Sequence, residues 1–338
     1  MLGKEPIMMF PVFQTVGSWF PACLLLAVAA CAGSEVPASP HPTTTLTSEL
    51  REGVIIDTTT GEPVSTEHLM KHLRQQEVLY LGEEHHNRFH IDSALSLLTR
   101  LSAEGRRPVL AMEMFGWDGQ SPLDRYVGGG ELNRQEFLTQ VGWPQNWGGP
   151  FENYEPLVAY AKSGHLSLVA LNPPKSLVRL VARKGLAQAR QDADWTRWNM
   201  QDETIVDDPA YREKIFQQLR ACHDGGPDEL YQTMYEASMV RDEGMAKTIV
   251  SLIEAMRAAS NASAGPVVSY TGGGHIQYNL PVPKRVARRL SNVRQISIYM
   301  TSFEQGRLDD LHEMIAGKIA DYLWLTPVSA QGIPRRCR

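Results

Sequence analysis

Two glycine–histidine corners lie far apart in the chain, Gly82-Glu83-Glu84-His85-His86-Asn87-Arg88-Phe89-His90 and Gly272-Gly273-Gly274-His275. Each follows an apolar run, Val78-Leu79-Tyr80-Leu81 and Val267-Val268-Ser269-Tyr270, that reads as a buried strand. A third run, Val109-Leu110-Ala111-Met112-Glu113, delivers a carboxylate to the same kind of position. Open α/β sheets collect ligands beyond the carboxyl ends of their strands, so the three ends are expected to form one site. Neutral imidazoles and carboxylates suit a divalent metal such as zinc, iron or manganese, with water in an open position. Glu83, His85, Glu113 and His275 are the expected ligands. Such a metal would acidify its water and support hydrolysis, with Glu83 or Glu113 as base. His86 and His90, four residues apart, are placed on one helix face, where His90 adds a ligand or a hydrogen bond. The glycine run before His275 offers backbone N–H groups for an anion. Tyr278, three residues past His275, is a candidate oxygen ligand to ferric iron.

The elements that position these groups alternate. Strands are expected at 78–81, 109–114, 166–171, 266–271 and 294–300, with 322–325 as a sixth and a short one at 54–56. Helical spacing covers 66–76 behind a Ser65/Thr66 cap, the stretch carrying Ile91, Ala94, Leu95, Leu98 and Leu101, and 156–163. This alternation predicts an α/β fold, a mostly parallel sheet flanked by helices. Residues 176–257 carry no strand signal and read as a smaller all-α subdomain inserted before the last strands, with helices at 195–202, 210–222 and 228–257. In the last of these Asp242, Met245, Ile249, Leu252, Ile253 and Met256 share a face, so Asp242 points inward. A buried carboxylate needs a partner or a metal, and Arg241 beside it offers an ion pair instead. Trp117, Trp143, Trp147, Phe151 and Tyr154 fall in or near an irregular Gly/Pro-rich segment, 142–150. They either line a pocket for a flat ligand or plug the loop onto the sheet.

The beginning of the chain bears on location. Residues 1–31 contain a short apolar stretch ending in Val28-Ala29-Ala30-Cys31, too short to span a bilayer. It has the form of a secretory signal closing on a lipidation cysteine, Cys31. A Pro/Ser/Thr-rich tether follows at 32–49, then the α/β domain at 50–326 and a tail at 327–338. Ala32 in place of aspartate favours the outer membrane of a diderm bacterium. A net charge of −5 with no long basic run gives no sign of nucleic-acid binding. Of the four cysteines, Cys222 and Cys337 would remain unmodified, and no bridge between them is expected.

Taken in order, several segments resemble the ChaN-like family of haem-binding bacterial lipoproteins. They are Tyr80-Leu81-Gly82-Glu83-Glu84-His85 with His90; Ala111-Met112-Glu113-Met114-Phe115 with Gln120; Ala170-Leu171-Asn172-Pro173; Arg241-Asp242-Glu243-Gly244-Met245-Ala246; and Gly274-His275 before Pro283. Order and spacing agree over about residues 50–300. The resemblance implies a mostly parallel α/β domain with a smaller helical part. It also implies haem bound in a pocket, in a homodimer, with lipid holding the protein to the membrane and haem transport proteins as undefined partners. Tyr278 and Tyr154 are then the candidate haem ligands, with His90, Arg241 and Asp242 near the cofactor. The wider superfamily, with TIKI-type, TraB-type and erythromycin-esterase-like proteins, maps Glu83, His85, Glu113 and His275 onto metal or catalytic positions. The alternative it implies is a metal-dependent peptidase or esterase.

Overall fold

The computed structural model describes residues 50–222, 225–259, 261 and 263–330, all within the unit Thr44–Arg338. The expected signal segment with Cys31, the tether at 32–49 and the tail from 331 lie outside the described residues.

Among the described residues the strands are β1 (Ile55–Asp57), β2 (Glu62–Val64), β3 (Val78–Glu83), β4 (Arg107–Gly116), β5 (Leu168–Asn172), β6 (Ala264–Gly272), β7 (Gln295–Ser302) and β8 (Tyr322–Thr326). They form one eight-stranded sheet in the order β2-β1-β8-β7-β3-β6-β4-β5. From β8 to β5 every pairing is parallel. Only the two pairings of β1, with β8 and with the edge strand β2, are antiparallel. The strand at 62–64 was not foreseen, because Glu62-Pro63-Val64 is short and pairs only on an edge, where proline is tolerated.

The central strands are apolar on both faces because helices cover both. Leu79 and Leu81 of β3, Leu110 and Met112 of β4, and Val268 and Tyr270 of β6 pack into one cluster with the helix Arg88–Ala103. Val78, Tyr80, Ala111 and Val267 pack on the other face against Met245, Ile249 and Ile253 of the helix Asp228–Ala258. This alternation is the period of two of a pleated strand. Asn87 starts the helix at Arg88, its side chain accepting the Phe89 N–H.

The neighbours β3 and β6 feed opposite faces. The chain leaving β3 enters the helix Arg88–Ala103 on the first face, whereas the chain leaving β6 enters Val282–Arg289 on the second. Adjacent strands whose connections diverge in this way open a crevice at their carboxyl ends. Both histidine corners stand there.

Between β5 and β6 the described chain is helical: Lys175–Lys184, Leu186–Ala189, Ala193–Arg197, Pro209–Cys222 and the 31-residue Asp228–Ala258. The helix expected at 195–202 stops at Arg197, since Asn199 turns into the left-handed region with φ 52°. The segment expected to be irregular at 142–150 holds a short helix, Trp143–Asn146. Cys222 is in a disulfide, which corrects the expectation of no bridge. Its other half lies outside the described residues. Among the described residues no helix is long and apolar enough to cross a membrane.

Candidate functional site

The strand register sets the ends of β3, β6 and β4 side by side: Glu83 lies opposite Gly272, and Met112 opposite Tyr270. By the pleat, Glu83 falls on the face of Leu79 and Leu81, and Glu113 on the opposite face with Ala111. The two carboxylates therefore serve different layers, and the two histidines meet over the rim between them.

On the first face Glu83 is buried, with both oxygens committed. Oε1 lies 2.9 Å from His85 Nδ1 and accepts from the Tyr154 hydroxyl at 2.7 Å; Oε2 accepts from the Tyr270 hydroxyl at 2.7 Å. Burial raises its pKa against the pull of His85 and the two hydroxyls. With Glu83 already accepting from two hydroxyls, His85 Nδ1–H donates to it and Nε2 is left as the unbonded ring nitrogen of a side chain 46 % exposed. Burial works to lower the pKa of His85, but the bond to Glu83 and the charge of Glu113 raise it overall. Trp147 meets the imidazole edge-on at 4.8 Å.

On the second face the groups interlock. Glu113 Oε2 accepts the Gly272 N–H at 2.6 Å; its Oε1 pairs with an Arg241 Nη and lies 3.3 Å from His275 Nε2. Arg241 Nε also donates to Asn172 Oδ1 at 3.0 Å. Burial pushes the Glu113 carboxyl up, but the charges of His275 and Arg241 hold it well below the ordinary range. His275 Nδ1 is 2.6 Å from Asp242 Oδ1, and Asp242 Oδ2 accepts from the Tyr211 hydroxyl at 2.5 Å. Burial alone would depress His275. The charges of Glu113 and Asp242 outweigh burial and Arg241 and raise it to about 9. The site is thus two carboxylate–imidazole pairs, one open and one locked in a buried ionic network.

Several expectations are corrected by this arrangement. Glu83, His85, Glu113 and His275 do converge, but their donor atoms are spent on one another, on two tyrosines and on Arg241. Among the described residues no group of three or more His, Cys, Asp or Glu is disposed to hold a metal ion. Neither Glu83 nor Glu113 is a free base, since each accepts three or more hydrogen-bond or ionic partners. The Arg241–Asp242 ion pair does not form, because successive helix residues do not face each other. Asp242 is buried as expected, but its partners are His275 and Tyr211.

His86 precedes the helix with φ 65°, so it does not share a helix face with His90. His90 is buried; its Nδ1 accepts the Glu84 N–H at 2.9 Å, and burial lowers its pKa to about 4. It fastens the turn and is not presented to a ligand. Tyr154 is fully buried, donating to Glu83 and accepting the His86 N–H at 3.0 Å. Burial and Glu83 raise its pKa, the reverse of what a tyrosinate ligand requires. Tyr278 packs instead with Leu311 and Ile315 beneath the Lys214 ammonium, which sits 4.3 Å from its ring centre. Of the aromatic segment, Trp143, Phe151 and Tyr154 plug the core while Trp147 reaches the site. Trp147 was among the aromatics expected at a pocket, whereas Tyr270 and Tyr211 were not foreseen as site residues. Tyr270 carried a signal, a phenol at the carboxyl end of a buried strand two residues before Gly272.

Gly272 permits the approach of the two faces. A Cβ there would lie 2.6 Å from His85 Cε1, 2.9 Å from its Nε2 and 3.5 Å from Glu113 Oε2. Gly272→Ala is expected to push the His85 ring off Glu83 and to cost about 1–3 kcal/mol. NMR titration of His85 in the variant should show its pKa falling back toward 6.5; an unmoved His85 resonance would disprove the contact.

Comparison with known proteins places this geometry in a family. The "Protein RETICULATA-RELATED 5, chloroplastic" of Arabidopsis thaliana is 23 % identical over 305 residues, covering 82 % of this chain. The chain spans only 38 % of that relative's length. The solved structure "Cofacial heme binding to ChaN of Campylobacter jejuni" matches with a TM-score of 0.61 at 18 % identity, covering 81 % of this chain and 96 % of that one. A likeness at that identity shows a shared fold. An erythromycin esterase mutant in its open conformation matches with a TM-score of 0.44 at 14 % identity, over 74 % of this chain and 76 % of the other. The profile described as "Haem-binding uptake, Tiki superfamily, ChaN" matches residues 69–286. The chain, with its parallel sheet and its paired histidine corners, belongs to that haem-binding ChaN family.

Proposed function

We propose that this protein binds haem at the carboxyl edge of its sheet and serves bacterial iron acquisition or haem storage, held to the envelope by lipid on Cys31. Membership of the haem-binding family carries the reading. The residues at the edge fit the group. His85 offers a half-exposed ring fixed through Nδ1, the usual support for a metal-ligating imidazole, with Nε2 unbonded among the described residues. Trp147 gives a flat apolar wall beside it. Lys175, whose ammonium donates to the Gln145 and Asn146 carbonyls, lies close enough to Arg179 and Arg241 to feel their charges, and this positive cluster suits propionate carboxylates. Bound there, haem supplies an iron centre for storage or transfer. The signal-like 1–31 segment, with the form of a lipidation site at Cys31, supports the anchored location.

Haemin titration of the full-length protein, recovered from membranes in detergent, tests both parts. A saturable Soret shift at one haem or fewer per chain is expected, weakened at least tenfold in His85→Ala and unchanged in Tyr278→Phe. Detergent-phase partition should be lost in Cys31→Ser. No saturable Soret change would sink the haem reading, and unaltered partition would sink the anchor.

A further inference from the structure

The amino edge of the sheet, opposite the histidine corners, gathers arginines from four segments. Arg74 caps the helix Thr66–Leu73, Arg106 precedes β4, Arg257 stands in the last turn of the helix Asp228–Ala258, and Arg294 precedes β7. All four line one cavity of about 480 Å³, in which Glu77 is the only carboxylate among the described residues. Two of the four are neutralised. Arg257 grips both oxygens of Glu77 at 2.8 and 3.0 Å, and Arg74 grips both oxygens of Glu104 at 2.9 and 2.7 Å. The other two are held by the main chain. Arg294 Nε donates to the Gln75 carbonyl at 2.7 Å, and its Nη1 lies 3.8 Å from a Glu77 oxygen that Arg257 already holds. Arg106 donates to the carbonyls of Gly265 and Arg74 at 3.3 Å and of Ala264 at 3.5 Å, and makes no ion pair among the described residues. Glu67, 3.9 Å from Arg74, is taken by Arg100 at 2.7 Å, and Glu254 is felt at Arg257 without pairing among the described residues. Carbonyls fix a guanidinium in place without cancelling its charge, so the cations of Arg106 and Arg294 stay preorganised and unmatched.

We propose that this cavity binds a phosphate monoester. Guanidinium forks match phosphate oxygens, and a monoester carries close to two negative charges above its second pKa of about 6. A carboxylate or a phosphodiester, singly charged, leaves part of the excess uncompensated. The four arginines repel one another across the cavity, and a dianion among them relieves that repulsion. Ile253, Met256 and Pro266 line the same cavity and receive the carbon part of the ester. Two sources present this chemistry, a soluble compound such as glycerol 3-phosphate and the headgroup of phosphatidic acid. The site stands at the edge of the sheet away from the histidine corners, so it does not rest on haem binding.

The test titrates the full-length protein calorimetrically with glycerol 3-phosphate, with acetate as the control anion. In parallel, the full-length Cys31→Ser chain is floated with phosphatidylcholine vesicles carrying phosphatidic acid or, separately, phosphatidylglycerol. One saturable site is expected, weakened about tenfold or more in Arg294→Gln and in Arg106→Gln, the loss that follows from a charged hydrogen bond. Arg106 ties three carbonyls, so circular dichroism checks the fold of its variant. Arg294, with a side chain 62 % exposed, supplies the variant that spares the fold. Saturation by glycerol 3-phosphate without flotation assigns a soluble ester. Flotation with phosphatidic acid but not with phosphatidylglycerol assigns the lipid headgroup. Neither response, an equal response to acetate or to phosphatidylglycerol, or binding unchanged in both arginine variants would overturn the assignment.

Discussion

Replacing Glu243 by alanine is expected to lower the free energy of unfolding by about 3–5 kcal/mol, the usual cost of breaking a buried ion pair. Glu243 is fully buried on the helix Asp228–Ala258 and holds three guanidinium groups. Its oxygens accept from Arg288 at 2.8 and 3.0 Å and from Arg289 at 2.7 Å, and Arg285 Nε lies 3.3 Å away. Arg285 is buried as well, with its guanidinium 4.8 Å from the ring centre of Tyr211. Without the carboxylate these cations repel one another, and Arg285 is left buried with its charge uncompensated. Tyr211 is the partner of Asp242, so the loss should be felt at His275 too. Urea denaturation of Glu243→Ala beside Arg288→Ala checks this. The arginine variant, whose side chain is partly in water, should lose about 1 kcal/mol. Equal losses in the two would refute the role assigned to the buried carboxylate.

The second large effect is a decline of stability with rising pH, traced to His275. Its folded pKa is raised to about 9 from the ordinary 6.5 by Glu113 and Asp242, against burial and Arg241. A histidine raised in this way stabilises the fold fully below pH 6.5 and ceases to do so as pH climbs through 9. At about 1.4 kcal/mol per pH unit, the span corresponds to about 3 kcal/mol. Unfolding free energies at pH 6, 7.5 and 9 should therefore fall steadily in the wild type and change much less in His275→Gln. Parallel slopes in the two proteins would show that His275 is not held charged.

How much of this was legible in sequence follows from how local each feature is. The strand ends carrying Glu83, Glu113 and His275 could be read directly, because an apolar run closed by glycine or a charge is a local pattern. The inward direction of Asp242 was equally plain, since helical periodicity marks the face. Its partners were not, because Tyr211 and His275 come from other segments and no spacing ties them to Asp242. The metal expectation failed for a related reason. Residue types at strand ends do not reveal that Arg241 and two tyrosines will already occupy the carboxylates. The hydrogen bond expected of His90 is made, to the Glu84 amide, but the left-handed turn at His86 keeps the two histidines off a common helix face.

The order of strands has a consequence for how the chain is made. Successive strands β3 and β4 are separated in space by β6, so Tyr270 reaches Glu83 across 187 residues of chain and Gly272 reaches Glu113 across 159. A ribosome releases both apolar strands long before the one that fits between them. Until it arrives, each offers an unpaired edge that invites pairing with a neighbouring chain. Early collapse into a stable half is thereby disfavoured, and the long-range closure of the middle waits on β6. The segment that fills the gap also carries His275, so the middle of the sheet and the site are completed in the same step.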